Sequence, residues 1–201
     1  MSLSNVQIEV LRRRKNAAKS ALRYFTDKKS VKSTNNPFAF TTDRDQDTLD
    51  SYRDDPDTAN SIAQSFEDAS HYGIGNCDEK GRICYASLQS NPLIAPPNAY
   101  VTLLEAINYD HVFVMVADIP ITGRSQLKAL PDTTMIVDGW TQDWYFPQLP
   151  WTTAKWYGFS NIPNPRQLYV RVQIEKHDFM RYGGADGMVS DAGRYGVVSR
   201  V

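Results

Sequence analysis

Cysteine is scarce in this chain. Among 201 residues there are two, Cys77 and Cys84. That is too few for a disulfide scaffold. If the segment is helical, seven residues separate them, about 10 Å along the axis at 1.5 Å per residue, too far to bridge. The pair fits no common zinc spacing either, so no metal and no cofactor is expected. Net charge is nearly absent at −1, which leaves no global case for nucleic-acid binding. Long apolar runs are missing. No stretch is long enough to span a membrane, and the N-terminus has no apolar run of signal-peptide type. The chain therefore reads as soluble, and export would take a route without a cleaved N-terminal signal. There is no internal repeat. The acidic alternation Asp43, Asp45, Asp47 is not a calcium loop, because the positions that need Gly and Glu hold Thr48 and Asp54.

What is present is enough apolar material for a real core, 41% of the chain, of which the aromatic share is 11% of all residues. Residues 5–28 read as a helix with an apolar stripe of Leu11, Ala18, Leu22 and Phe25. Arg12, Arg13, Arg14, Lys15, Lys19 and Arg23 crowd its other sides. Such a helix can lie on an anionic membrane or grip a partner. The preferred reading is a helix packed on the domain with a solvated basic face. Residues 30–57 look mostly irregular and turn acidic, a solvated surface suited to pairing with the basic helix. Asp57-Thr58 can cap a helix through Ser70, with Ile62, Phe66 and Ala69 facing inward. After the breaks at Asn91-Pro92 and Pro96-Pro97-Asn98 the period becomes that of strands, at 100–107, 112–117, 134–137 and 168–174. An aromatic tract with Trp140, Trp144, Tyr145, Phe146, Trp151, Trp156, Tyr157 and Phe159 lies between the last two. The division expected is a basic helix with a polar acidic segment at 1–57, an α+β domain at 58–180, and a Gly-rich flexible tail or truncated linker at 181–201. The fold class is α+β, helices first and then a mainly antiparallel sheet.

The chemistry centres on 73–88. Gly73-Ile74-Gly75-Asn76-Cys77 brings a cysteine to the first turn of a helix, with Asn76 as N-cap and Glu79 able to close a capping box. Positions 77, 81, 84 and 88 form one face of small or apolar residues that can pack closely on a sheet. A thiolate is the reactive form of cysteine; a helix N-terminus and a nearby imidazolium bring its pKa to roughly 3.5–7.5 in known cases. Asp78 and Glu79 oppose this, so a histidine partner is needed. His111 opens one strand and Asp138 closes the next clear one, so adjacent antiparallel strands can set them side by side. His111 then takes the thiol proton and returns one to the leaving group. Asp138 fixes the tautomer and the orientation of His111. The oxyanion would meet the Cys77 N–H and one further donor, with Asn76, His71 and Gln64 as candidates. Trp140 can wall the cleft and exclude water.

Gly-Asn-Cys before a helix, Asp-His-Val-Phe-Val on a strand and Val-Asp-Gly-Trp on the following one resemble, in that order, the papain-like and transglutaminase-like cysteine enzymes. The compact spacing is most similar to versions in secreted bacterial effectors and toxins. The resemblance spans roughly residues 60–150. It implies a nucleophile at Cys77, a base at His111 and an orienting acid at Asp138. It also implies a protein substrate, of a host cell in the effector case, attacked at an amide by a protease, glutamine deamidase or transglutaminase. Two departures stand out: Asp78-Glu79-Lys80 follows the cysteine, and Gly139 stands where related sequences often carry proline.

Bland alternatives exist for each residue. Cys84, two turns into the helix, reads as core. Asp138 before Gly139 suits a turn. Asp110 is a rival orienting acid, but strand neighbours point to opposite faces. His71 and His177 read as structural. A non-catalytic adaptor that binds a partner through its basic helix and aromatic surface remains a competing function, as does a small-molecule acyltransferase of the arylamine N-acetyltransferase type.

Overall fold

The computed structural model describes residues 3–27, 31–35, 40–55, 62–94, 99–106, 111–121, 124–126, 130–149 and 169–174. Its element order is α1 (Asn5–Asp27), α2 (Asp43–Arg53), α3 (Ile62–Tyr72), α4 (Cys77–Gln89), then β1 (Tyr100–Ala106), β2 (His111–Ala117), β3 (Arg124–Gln126), β4 (Met135–Asp138), β5 (Asp143–Tyr145) and β6 (Tyr169–Ile174). This is an α+β arrangement. Three helices start with the same reciprocal device. Ser4 and Gln7 exchange side-chain and backbone bonds ahead of α1, Thr42 and Asp45 do so at α2, and Glu79 Oε2 accepts the Asn76 N–H at 2.8 Å at α4.

The helix at 43–53 corrects the expectation of an irregular acidic stretch. Its composition is poor in apolar residues, but Leu49 and Tyr52 fall on one face and are buried, and the Tyr52 hydroxyl donates to the Ile74 carbonyl at 2.7 Å. Among the described residues no ion pair joins its charges to α1. Arg53 reaches Glu79 in the first turn of α4 instead. A second correction concerns α1. Arg14 is buried, not solvated; its guanidinium pairs with Asp118 just past β2 and donates to the Thr133 carbonyl at 2.6 Å. Burial pulls the Arg14 pKa down and Asp118 opposes that pull. The neighbours Arg12 and Arg13 stay exposed, clasping Glu9.

The described strands form one antiparallel sheet in the order β3-β6-β1-β2-β4-β5. The short β3 and β5 were not legible as strands. Every residue of β2 is buried, as its unbroken apolar run suggests. One face of the sheet, with Val112, Val114, Val116, Met135 and Val137, joins Ala17, Ala18, Ala21, Leu22 and Phe25 of α1 and Ile83, Cys84 and Leu88 of α4 in one core. That core runs across position 57. The other face gathers Leu104, Phe113, Met115, Ile136 and Tyr145. Gly81 is what lets α4 lie close: a methyl there would stand 2.9 Å from Val112 Cγ1 and 3.1 Å from Leu103 Cδ1. No helix among the described residues is long and apolar enough to cross a membrane. Asp110, His177, the aromatic residues Trp151, Trp156, Tyr157 and Phe159, and the 181–201 tail lie outside the described residues.

Candidate active site

Cys77 is the first residue of α4, His111 the first of β2 and Asp138 the last of β4. β2 and β4 are neighbours, with Val114 opposite Val137. Beyond that pair the two strands end close together, with His111 at the start of β2 and Asp138 at the end of β4. The carboxylate meets the ring: His111 Nε2 and Asp138 Oδ2 are 2.9 Å apart. His111 also hydrogen-bonds the Cys77 side chain. With Nε2 on the carboxylate, Nδ1 is the ring atom left for the sulfur. The three groups are buried, at 7% exposure for Cys77, 4% for His111 and none for Asp138.

Asp138 does two jobs. Its other oxygen, Oδ1, accepts the backbone N–H of Trp140 at 2.9 Å and of Thr141 at 3.2 Å. That side-chain-capped turn leads the chain through Gln142, at φ 54°, into β5. The turn role and the histidine-orienting role therefore coexist on one carboxylate. Gly139 seats the turn against α4. A methyl group on it would stand 2.7 Å from the Lys80 carbonyl oxygen and 3.0 Å from the Lys80 carbonyl carbon.

No family model, curated protein or solved structure matches this chain. What the site can do is read from its own geometry and charges.

Burial works against an imidazolium at His111, but the Asp138 carboxylate and the Cys77 side chain outweigh it and raise the ring's pKa to about 10. The acidic neighbours of Cys77 are each answered. Glu79 is held by Arg53 at 2.7 and 2.9 Å, and Asp78 by Arg82 at 2.9 Å. Burial nonetheless pushes the Asp78 carboxyl up. Their opposition to a thiolate is thereby damped, which a reading of formal charges alone misses.

The oxyanion candidates fare differently. The Asn76 amide is engaged with the 31–35 segment: its oxygen accepts from the Thr34 N–H at 2.9 Å and its nitrogen donates to Thr34 Oγ1 at 3.0 Å. Gln64 donates along its own helix, to Asp68 at 3.0 Å. His71 is exposed at the end of α3, edge-on to Tyr72. The Cys77 backbone N–H, in the first turn of α4, is the donor that helix geometry itself supplies. Trp140 stands edge-on to His111, with ring centroids 5.9 Å apart, and its indole N–H donates to Asn35 Oδ1 at 2.9 Å. Asn35 and Thr34 thus join the wall of the site. Sequence reasoning missed them because tertiary pairing, with the Lys32 backbone bonded to Gly73 and Gly75, brings that segment in.

Two expected results arise here. Arg53→Ala leaves the buried Glu79 carboxylate without its cation and costs about 1–3 kcal/mol, read as a lowered urea midpoint. The raised pKa of His111 also makes stability depend on pH. The folded state keeps its ring proton until about pH 10, whereas an unfolded histidine loses it near pH 6.5. The contribution is therefore complete below about 6.5 and is lost as pH rises through the folded value. Between pH 6.5 and 8, unfolding free energy falls with a slope approaching about 1.4 kcal/mol per pH unit. The same titration of a His111→Gln protein lacks that slope.

Proposed function

We propose that this chain is a cysteine-nucleophile enzyme with a papain-like or transglutaminase-like core, acting on protein amide groups through a thioester. The observation that carries the reading is the placement of His111 between the Cys77 side chain and Asp138, each on the end of its own element. An imidazolium beside the sulfur favours the thiolate. The thiolate attacks the amide carbonyl, and the oxyanion is received by the Cys77 N–H. His111 gives its proton to the departing amine or ammonia, and the thioester remains on Cys77. Water then releases an acid, as in a protease or deamidase; a lysine amine releases a new amide, as in a transglutaminase. The Trp140 wall favours the amine by limiting water. The resemblance to effector and toxin versions suggests a host protein as substrate and secretion as the route to it.

The test has two arms. Cys77→Ala and His111→Ala each abolish labelling by a thiol-directed electrophile, measured by intact mass. Incubation with candidate proteins then separates the reactions by which nucleophile resolves the thioester: a gain of about 1 Da for deamidation, joined chains for crosslinking, two fragments for proteolysis. Unchanged turnover in the Cys77→Ala protein ends the enzyme reading.

The second reading, a non-catalytic adaptor, is favoured by one observation: Cys77 is only 7% exposed. It predicts an iodoacetamide rate that rises once, near the free-thiol pKa of about 8.5. The enzyme reading predicts a plateau extending well below it.

A further inference from the structure

We propose that Asn35 is a positioning residue that latches Trp140 across the mouth of the site, and that opening of this one side-chain contact sets how fast an electrophilic substrate reaches Cys77. This rests on the reading of Cys77 as a nucleophile.

Two walls meet at the latch. One is the approach to α4. The amide oxygen of Asn76, the residue before Cys77, accepts the Thr34 N–H at 2.9 Å and the Asn35 N–H at 3.4 Å. Ser33 Oγ donates to the Gly75 carbonyl at 3.2 Å. Asn35 is thereby carried beside the nucleophile. The other wall is the turn after Asp138. The Trp140 N–H is held on Asp138 Oδ1 at 2.9 Å. The Trp140 ring stands edge-on to His111, with centroids 5.9 Å apart, and packs on the core cluster that includes Cys77. Its indole N–H donates to Asn35 Oδ1 at 2.9 Å. That bond runs from one wall to the other.

A substrate carbonyl must touch the sulfur, and a cysteine that is 7% exposed gives it little room while the walls stay joined. The backbone on both sides is pinned: Thr34 by Asn76, and the turn by Asp138 and by the seating of Gly139 against the Lys80 carbonyl. The indole is what can swing. The bond that holds it is the most exposed of these links, so water competes for both partners and its net worth is small. Rotamer changes of exposed side chains are far faster than alkylation. Opening is then a rapid pre-equilibrium, and the observed rate at Cys77 is the intrinsic rate multiplied by the open fraction.

The experiment is the second-order rate of iodoacetamide alkylation on its low-pH plateau, read separately at Cys77 and Cys84 by peptide mass. Asn35→Leu removes the acceptor and raises the Cys77 rate by about 2- to 10-fold, the factor one such bond is worth. Asn35→Asp keeps an acceptor oxygen and stays near the unaltered rate. Trp140→Phe removes the donor and also raises the rate, and Asn35→Leu added to it changes nothing further, because the shared bond is already gone. Cys84, fully buried in the same helix, is the control. General loosening of α4 speeds both cysteines, whereas the latch speeds Cys77 alone. An Asn35→Leu rate equal to the unaltered one overturns the proposal. So does an equal rise at Cys84, an Asn35→Asp rate as high as that of Asn35→Leu, or an undiminished effect of Asn35→Leu in the Trp140→Phe background. An unaltered protein with no low-pH plateau removes the nucleophile reading itself; a plateau that Asn35→Leu leaves unmoved removes only the latch.

Discussion

Asp138→Ala abolishes the reactivity of Cys77 near neutral pH and destabilises the protein, and Asp138→Asn separates the two effects. Alanine removes both oxygens: the acceptor of the Trp140 and Thr141 amides and the partner of His111 Nε2. Two half-buried backbone donors and a buried ring lose their partner together, at a cost of about 3–5 kcal/mol, the range for breaking a buried ion pair. Asparagine keeps an oxygen for the turn and loses the charge. His111 then keeps only the Cys77 side chain against the burial that disfavours its protonated form, so its pKa falls from about 10 toward the ordinary histidine value. The thiolate loses its counter-ion, and turnover falls by about 100-fold or more, the scale of a positioned general acid–base group. The check is a urea melt and a single-turnover rate on both variants. Equal rates in Asp138→Asn and the unaltered protein would mean that the carboxylate acts only as a turn residue.

Gly139→Ala is the second large effect. Its methyl would meet the backbone carbonyl of Lys80 at 2.7 Å. Backbone cannot rotate aside as a side-chain tip can, so the end of β4 and the start of α4 must separate. Overpacking of this kind costs about 1–3 kcal/mol. Because Asp138 and Cys77 lie on the two parts that separate, a displacement near 1 Å lowers the rate by about 100-fold. Gly81→Ala is the comparison. Its methyl meets the side-chain methyls of Val112 and Leu103, which can shift, so it weakens the fold with a smaller loss of rate per folded molecule. Equal rate losses in the two variants would show that general loosening of α4, not the Gly139 contact, sets the rate.

Much of this was legible in the residues because the informative signals are local. A cysteine after a Gly-broken loop with Asn76 and Glu79 around it marks a helix start. Unbroken Val-Phe-Val-Met-Val marks a buried strand, and Asp138-Gly139 marks its neighbour's end. What stayed hidden depends on tertiary partners. α2 has few apolar residues, and its helix is settled by Tyr52 reaching Ile74 and Arg53 reaching Glu79. Arg14 looks like its exposed neighbours Arg12 and Arg13 until Asp118 and Thr133 are brought to it. Lys80 is buried with its ammonium over the Phe25 ring, which nothing nearby in sequence announces. β3 and β5 are three residues each, too short for a period of two to show.

The most direct measurement is the protonation state of the His111 ring by long-range nitrogen NMR at pH 8. Held between Asp138 and Cys77, the ring carries protons on both nitrogens there, and in Asp138→Asn it becomes a neutral tautomer at the same pH. A ring that titrates near pH 6.5 in the unaltered protein, indifferent to both Asp138→Asn and Cys77→Ser, would contradict the account.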